Sequence, residues 1–448
     1  MPPQHFSGAW STRSRTCVAD GPLSGWGLAP VPSDPASEYA AELLGALGAR
    51  PGGSALVVPA SPGSGPDADW ADSGAMALTG TPDGPPLPAP GSPATAARAA
   101  VLAMRALGGP ADLLGHHLLG ERAALLGFTR RAPWSAGGSC RAVRTADGWV
   151  AVSLAREDDT EAVPALVSGS PDADAWSQLE EWAAAVTARE VAERAQLLGI
   201  PAAPVPREPV RSWPPWQIIS AAGDPARARP RVVDLSSLWA GPLCGNLLGL
   251  SGADVIRVES TRRPDGGRQH PAFDDLLHGG QPSVALDFHD PRGRADLQRL
   301  VRTADLVITS ARTRALDALG LTPGDAAVWV SITAYPICRD SSEWVGFGDD
   351  AAMAAGLVHW DEEGRPVPCG DALADPLTGV HASLAALACL RAGGRHHVRL
   401  NLKDVASSTL VRAQMADASA RARSPQARLA SRKARPLGAD TDSVLGAR

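Results

Sequence analysis

With 448 residues, a net charge of −6, 44% hydrophobic and 20% charged residues, the chain has the composition of a folded globular protein with room for more than one core. No run approaches the ~18 apolar residues of a membrane-spanning helix, and the arginines are dispersed among acids, so neither a membrane span nor a nucleic-acid surface is expected. The opening Met-Pro-Pro-Gln-His lacks the basic flank and apolar stretch of a secretory leader, and the expected compartment is the cytoplasm.

Six cysteines (Cys17, Cys140, Cys244, Cys338, Cys369, Cys389) lie far apart with no C-x-x-C pair, which predicts reduced thiols and no zinc site. Lysine occurs only at Lys403 and Lys433, which disfavours Schiff-base chemistry. The 40 prolines and 46 glycines predict short elements and many turns.

In chain order, an irregular lead-in precedes a helix beginning near Ser37, where Tyr39, Leu43, Leu44 and Leu47 recur at helical spacing. Gly52 and Gly53 end that stretch, and Ala55-Leu-Val-Val58 reads as a short buried strand. Helices follow over about Thr95–Leu107 and His116–Leu126. His116 and His117 read as packing residues, because no third ligand type stands at a useful spacing. Arg141 to Leu154 reads as a hairpin around Asp147-Gly148, followed by helices over Leu179–Val186 and Ala188–Leu198 and a Pro-rich linker over 206–230.

Beyond the linker, Arg231-Val-Val-Asp-Leu235, a helix opened by Gly241-Pro242, and Ala253 to Glu259 form a βαβ unit. Further strands at Ser283–Asp287, Asp305–Thr309 and Val328–Thr333, with an amphipathic helix over Arg292–Val301, predict an α/β fold. Its architecture is a doubly wound, mostly parallel, Rossmann-like sheet in a large domain, accompanied by a smaller α+β domain. Two echoes occur in the same order in both halves and favour an internal duplication. Leu43-Leu-Gly-Ala-Leu-Gly48 matches Leu247-Leu-Gly-Leu-Ser-Gly252, and Gly84-Pro-Pro-Leu-Pro88 matches Gly364-Arg-Pro-Val-Pro368.

The chemistry-bearing segment is Gly370-Asp371-Ala-Leu-Ala-Asp375-Pro376-Leu377-Thr-Gly-Val-His381, ahead of a helix whose buried face is Leu377, Val380, Leu384 and Leu387. Asp375 takes the N-cap position and Pro376 the first helical one; Gly393-Gly394 closes the far end. Asp375 is then either a structural cap or a nucleophile that the helix N-terminus holds ionised. His381, further into the helix, packs.

Several segments in family order make the C-terminal half resemble the family III CoA-transferases, the group of formyl-CoA and carnitine-CoA transferases. They are Arg231-Val-Val-Asp-Leu-Ser-Ser-Leu-Trp-Ala-Gly-Pro242, Gly252 to Glu259, Ser283 to Arg294, Ala304 to Ile308, Ala374 to His381 and Leu437 to Leu445. Arg144 to Val150 and Gly199 to Val205 resemble the family's small domain, placed here ahead of the catalytic segment. Leu78 to Pro86 resembles the stretch before the catalytic aspartate, and counting forward from Pro86 brings Thr95 to the position of Asp375.

The resemblance implies a shortened, degenerate copy over 1–135, a small domain over 140–205, the linker over 206–230, a catalytic domain over 231–412 and a C-terminal segment over 413–448. It implies Asp375 as the nucleophile of a CoA transfer from an acyl-CoA thioester to a carboxylic acid. Contacts to coenzyme A are implied at Leu238, Trp239, Ala240, Gly241, Pro242, Arg257, Arg312 and Arg314. Coenzyme A thioester enters as substrate, with no metal and no cofactor, and the partners are small molecules, not nucleic acid or membrane. The assembly is either a homodimer or an internal pseudo-dimer.

Three alternatives stay open. An acyl-CoA racemase would share the fold, but Phe347 stands where its histidine would fall. A dinucleotide enzyme would use Glu259 at the end of the second strand, but G-x-G-x-x-G is absent and Pro242 sits where glycine is wanted. A catalytically inactive CoA-ester-binding protein is the third.

Overall fold

Asp34 accepts the Ser37 N–H at 2.9 Å and so caps the first helix of the computed structural model. The structure describes residues 21–63, 65–225, 227–338, 341–412 and 421–446; Cys17 and the residues around 413–420 lie outside them. Two-residue strands β1 (Gly27–Leu28) and β2 (Arg50–Pro51) pair in parallel around α1 (Pro35–Ala46). The strand expected at 55–58 shrinks to a single bridge between Leu28 and Leu56, since Gly52 and Gly53 end the ladder before it. Helices α2 (Pro66–Asp72), α3 (Pro93–Ala106) and α4 (Glu121–Leu126) complete the N-terminal region.

The expected hairpin is present as β3 (Cys140–Arg144) and β4 (Trp149–Ser153), joined by β5 (Ala202–Pro204) in a three-stranded antiparallel sheet. Helices α5 (Glu157–Val167), α6 (Ala175–Ala183) and α7 (Ala188–Leu197) cover it around Val143, Val150, Val163, Leu179 and Val191. Asp147 in the turn accepts the Ala188 N–H at 2.8 Å, tying the hairpin to α7.

The stretch read as a linker carries a strand, β6 (Gln217–Ala221), which edges the main sheet. The main sheet continues with β7 (Arg231–Asp234), α8 (Ala240–Leu250), β8 (Asp254–Ser260), α9 (Pro271–His278), β9 (Ser283–Leu286), α10 (Pro291–Arg302), β10 (Leu306–Thr309) and α11 (Thr313–Ala318). After β11 (Val328–Thr333) come α12 (Gly348–Ala355), a small hairpin of β12 (Val358–Trp360) and β13 (Pro366–Pro368), then α13 (Ala374–Ala392), β14 (Arg395–Asn401), α14 (Leu402–Ser408) and, near the end, α15 (Thr441–Leu445).

The seven strands run in the order β6-β14-β11-β10-β7-β8-β9, all parallel except β6. The order in which successive strands are added reverses between β7 and β10, a switch point at which sheets of this kind form a crevice at the strands' carboxyl ends, here between the loops after β7 and β10. Adjacent β7 residues serve opposite layers, Val232 facing the core shared with α8 and α13 and Val233 the core under α10.

Helix α13 is buried on nearly every side, Leu377, Val380 and Leu384 completely, each such side chain worth roughly 1.5–3 kcal/mol. Gly379 permits this: a Cβ there would lie 2.8 Å from the Ala240 carbonyl and 2.9 Å from the Leu243 side chain, so α8 could not approach. Helix α1 packs on α3 as α8 packs on α13, and α3 lies directly against α13.

Candidate active site

The turn entering α13 is held in an unusual backbone shape. Gly370 and Ala372 have φ of +65° and +42°, the latter a conformation that side chains resist. Asp349 Oδ1 accepts the Ala372 N–H at 2.8 Å, and the Thr79 hydroxyl accepts the Gly370 N–H at 2.8 Å. Because this turn already bonds the Asp375 N–H to the Ala372 carbonyl at 2.9 Å, Asp375 lies inside the first helical turn instead of capping it, and the helix starts at Ala374. Pro376 accordingly falls two residues deeper than expected. Gly393 ends the helix, where glycine was expected to close it.

Asp375 is half-buried, and its carboxyl group accepts one backbone donor, the Gly348 N–H, at Oδ2 and 3.2 Å. Burial is the largest influence on its acidity and lifts its pKa to about 7; Arg122 pulls it down, Asp349 and Asp350 push it up, and the Gly348 N–H pulls it down.

Those neighbours sit at the start of α12. Burial raises Asp349 to about 6, helped by the Asp371 charge and opposed by Arg122. Burial likewise raises Asp350 to about 6, against hydrogen bonds from Tyr335 Oη at 2.5 Å, the Phe347 N–H at 2.8 Å and Ser153 Oγ at 2.8 Å. Phe347, in the place of a racemase's histidine, offers an apolar ring stacked by Arg156 at 5.6 Å, with no proton to exchange. His381 packs as expected: Nδ1 donates to the Leu377 carbonyl at 2.7 Å, and burial lowers its pKa to about 4, so the ring is neutral.

Arg122 completes the cluster. Its Nε and Nη2 donate to both oxygens of fully buried Asp371 at 2.9 and 2.5 Å, and its plane stacks on the Trp239 ring at 4.8 Å. Trp239 is itself buried edge-on against Phe273 at 5.2 Å. Leu238 beside it is 43% exposed with φ of +68°, held by its N–H to Asp265 Oδ1 at 3.0 Å. Ala240, Gly241 and Pro242 begin α8 and are buried; a Cβ on Gly241 would lie 2.0 Å from Ser236 Oγ. Leu238 and the start of α8 thus flank Trp239, on which Arg122 stacks.

Arg257 does not. It is 2% exposed and its guanidinium meets Glu259 at 3.1 Å, Asp265 at 2.9 Å and Asp274 at 2.8 Å, so its donors are committed to carboxylates and closed to a phosphate. Glu259 is bound on its other side by Arg268 at 2.9 Å, which removes the ribose-binding role a dinucleotide enzyme would need. Arg312 caps α11 after β10 and Arg314 lies in its first turn, both exposed at the carboxyl end of the sheet.

In the N-terminal region, Thr95 donates to Asp69 at 2.7 Å, and Asp69 is ion-paired with Arg98 at 2.8 Å. His116 and His117 converge on Asp72 at 2.8 and 3.4 Å, a third ligand-type group that sequence spacing did not reveal. Arg98 Nη2 stands 3.0 Å from His116 Nε2 and Arg423 pairs with the Asp72 carboxylate at 2.6 Å, a cationic surrounding that suits an ion-pair cluster.

Residues 229–439 match the family described as CoA-transferase family III. The chain is 29% identical over 211 residues to the succinate–glutarate CoA-transferase of Agrobacterium fabrum, covering 41% of this chain and 53% of that one. It is 30% identical over 189 residues to the formyl-CoA:oxalate CoA-transferase of Rhodopseudomonas palustris, covering 37% and 42%. The chain thus spans about half the length of the curated relatives it matches. Among solved structures, a CAIB/BAIF family protein from Brucella suis is 27% identical, with a TM-score of 0.38 over 42% of this chain and 56% of that one. A hypothetical protein (Rv3272) from Mycobacterium tuberculosis is 28% identical, with a TM-score of 0.37 over 41% and 57%.

Proposed function

From the premise that residues 229–439 belong to CoA-transferase family III, we propose that this chain transfers coenzyme A from an acyl-CoA thioester to a carboxylic acid, with Asp375 as the nucleophile. The observation that carries this reading is Asp375: a half-buried residue in the first turn of a buried helix, its carboxyl raised to about 7 and directed by the Gly348 N–H.

The chemistry needs only carboxylates and a thiolate. An ionised Asp375 oxygen attacks the thioester carbonyl, the C–S bond breaks and CoA thiolate leaves, giving an acyl-aspartyl anhydride. The thiolate then attacks the Asp375 carbonyl, releasing the first acid and leaving an aspartyl-CoA thioester. An acceptor carboxylate attacks that thioester to form a second anhydride, and the freed thiolate takes the acceptor's acyl carbon, returning Asp375 as carboxylate. The Gly348 N–H stabilises negative charge on the Asp375 oxygen it contacts.

In this reading the crevice between the loops after β7 and β10 takes the nucleotide end of coenzyme A, with Leu238 to Pro242 on one side and Arg312 and Arg314 on the other. The three-stranded unit is the smaller α+β domain, and residues up to 135 are a shortened copy in which Thr95 replaces the nucleophile. Incubation with succinyl-CoA, glutaryl-CoA or formyl-CoA and a panel of carboxylic acids, followed by chromatography of CoA esters, tests the function. New CoA esters that vanish in Asp375→Ala are expected; transfer undiminished in that variant would overturn the assignment.

A further inference from the structure

Arg122 belongs to the N-terminal region, 249 residues before its partner Asp371, yet it lies in the middle of the carboxyl cluster at α13. Two independent contacts fix it. The fork to Asp371 sets the plane of the guanidinium, and the Trp239 ring at 4.8 Å covers one face. Helix α4 is itself anchored, because Glu121, next in the chain, takes Arg428 at 2.5 and 2.9 Å, and Arg428 also reaches Asn246 Oδ1 on α8 at 3.0 Å. Thr79 adds a second hold by the N-terminal region on the same turn.

We propose that Arg122 is the positioning residue of Asp375: the N-terminal region, which carries Thr95 in place of a nucleophile, supplies the counter-charge of the nucleophile in the C-terminal region. This rests on the reading of Asp375 given above. The charged and titratable groups around the carboxyl are Arg122 on α4, Asp371 in the entering turn, and Asp349 and Asp350 on α12, backed by Tyr335 and Cys140. Of the other helices packed on α13, α8 presents the Cys244 thiol toward Ser383, and α3 directs Arg98 to Asp69 and Arg105 to the Leu113 carbonyl. On α14, Asp404 bonds Asn401 and Ser212. On β14, Arg395 bonds the Gly324 carbonyl, His396 meets Ser220 and His397 meets Ser331, while His116 and His117 turn to Asp72; the cation whose charge acts on Asp375 is Arg122. The N-terminal region is in this sense part of the site.

The test compares full-length wild type, Arg122→Gln and Arg122→Lys, reading succinylation of Asp375 by succinyl-CoA as a function of pH. Removing a cation at this range should move the midpoint of the profile upward by about one pH unit or more in Arg122→Gln, with Arg122→Lys between it and wild type. The high-pH plateau should stay within about tenfold of wild type, because the nucleophile itself is intact. A lower plateau with an unmoved midpoint means a merely structural role and overturns the proposal.

If the wild type forms no adduct with succinyl-CoA, glutaryl-CoA or formyl-CoA, the nucleophile reading fails, and the proposal is still read from melting temperatures. The stabilisation by Asp375→Asn is followed against pH in wild-type and Arg122→Lys backgrounds, where its midpoint should move upward in the latter. An identical midpoint in both overturns the proposal.

Discussion

The N–H of Gly348 donates to Oδ2 of Asp375 at 3.2 Å, and the approach is so close that a Cβ on Gly348 would lie 2.5 Å from that oxygen and 2.3 Å from the Ala372 carbonyl. The first residue of α12 and the first turn of α13 thus form one unit, and its geometry depends on glycine having no side chain.

Gly348→Ala should therefore displace the entering turn of α13. We expect a loss of about 1–3 kcal/mol in stability, the usual cost of overpacking, and a fall in transfer activity of more than about tenfold. Denaturant unfolding and steady-state kinetics check both; a variant with unchanged kcat would mean that this N–H does not position Asp375.

The acidity of Asp375 carries a stability prediction. Its pKa is raised from 3.8 to about 7 in the fold, so the native state holds a proton the unfolded chain releases. The group's contribution is fully present below about pH 4 and is lost as pH rises through about 7. Asp375→Asn should hence change the melting temperature little near pH 4 and raise it increasingly up to about pH 7, after which the gain levels off. Calorimetry across that range checks the sign; a gain largest in acid would contradict it.

Arg257 and the pair Arg312 and Arg314 should separate by phenotype. Removing Arg257 leaves Glu259, Asp265 and Asp274 without a shared cation in a buried place, so Arg257→Met should cost about 3–5 kcal/mol of stability. Arg312→Ala with Arg314→Ala should leave melting within about 0.5 kcal/mol and raise KM for the CoA ester. The same KM with and without those two arginines would remove them from the CoA site.

The packing of α3 on α13, with α1 on α3 and α8 on α13, fits two related halves paired within one chain. Light scattering after size exclusion should give a mass near 46.2 kDa. Twice that mass would instead favour a homodimer.

Much of the large sheet was legible because its strands are runs such as Arg231-Val-Val-Asp234 and Leu306-Val-Ile-Thr309 separated by helices with clear ends. Strand β6 was hidden inside a proline-rich stretch, since Gln217-Ile-Ile-Ser-Ala221 is short and becomes a strand only by pairing with β14 at the sheet edge. The start of α13 was misplaced by two residues because Ala372 adopts a positive φ that Asp349 stabilises, a tertiary effect without local signature. Arg122 lay beyond sequence reasoning altogether, being joined to Asp371 across 249 residues. The adjacent carboxyls of Asp349 and Asp350 were visible as a pair and could have been marked on that ground. Arg257 was misassigned for a similar reason, as its three acidic partners come from two later segments and one strand position.

The most direct test of the account is intact-mass analysis of protein incubated with an acyl-CoA thioester and then treated with hydroxylamine or borohydride. The account predicts a modification that maps to Asp375 and disappears in Asp375→Ala. An adduct located on another residue, or turnover of CoA esters with no covalent intermediate at Asp375, would contradict it.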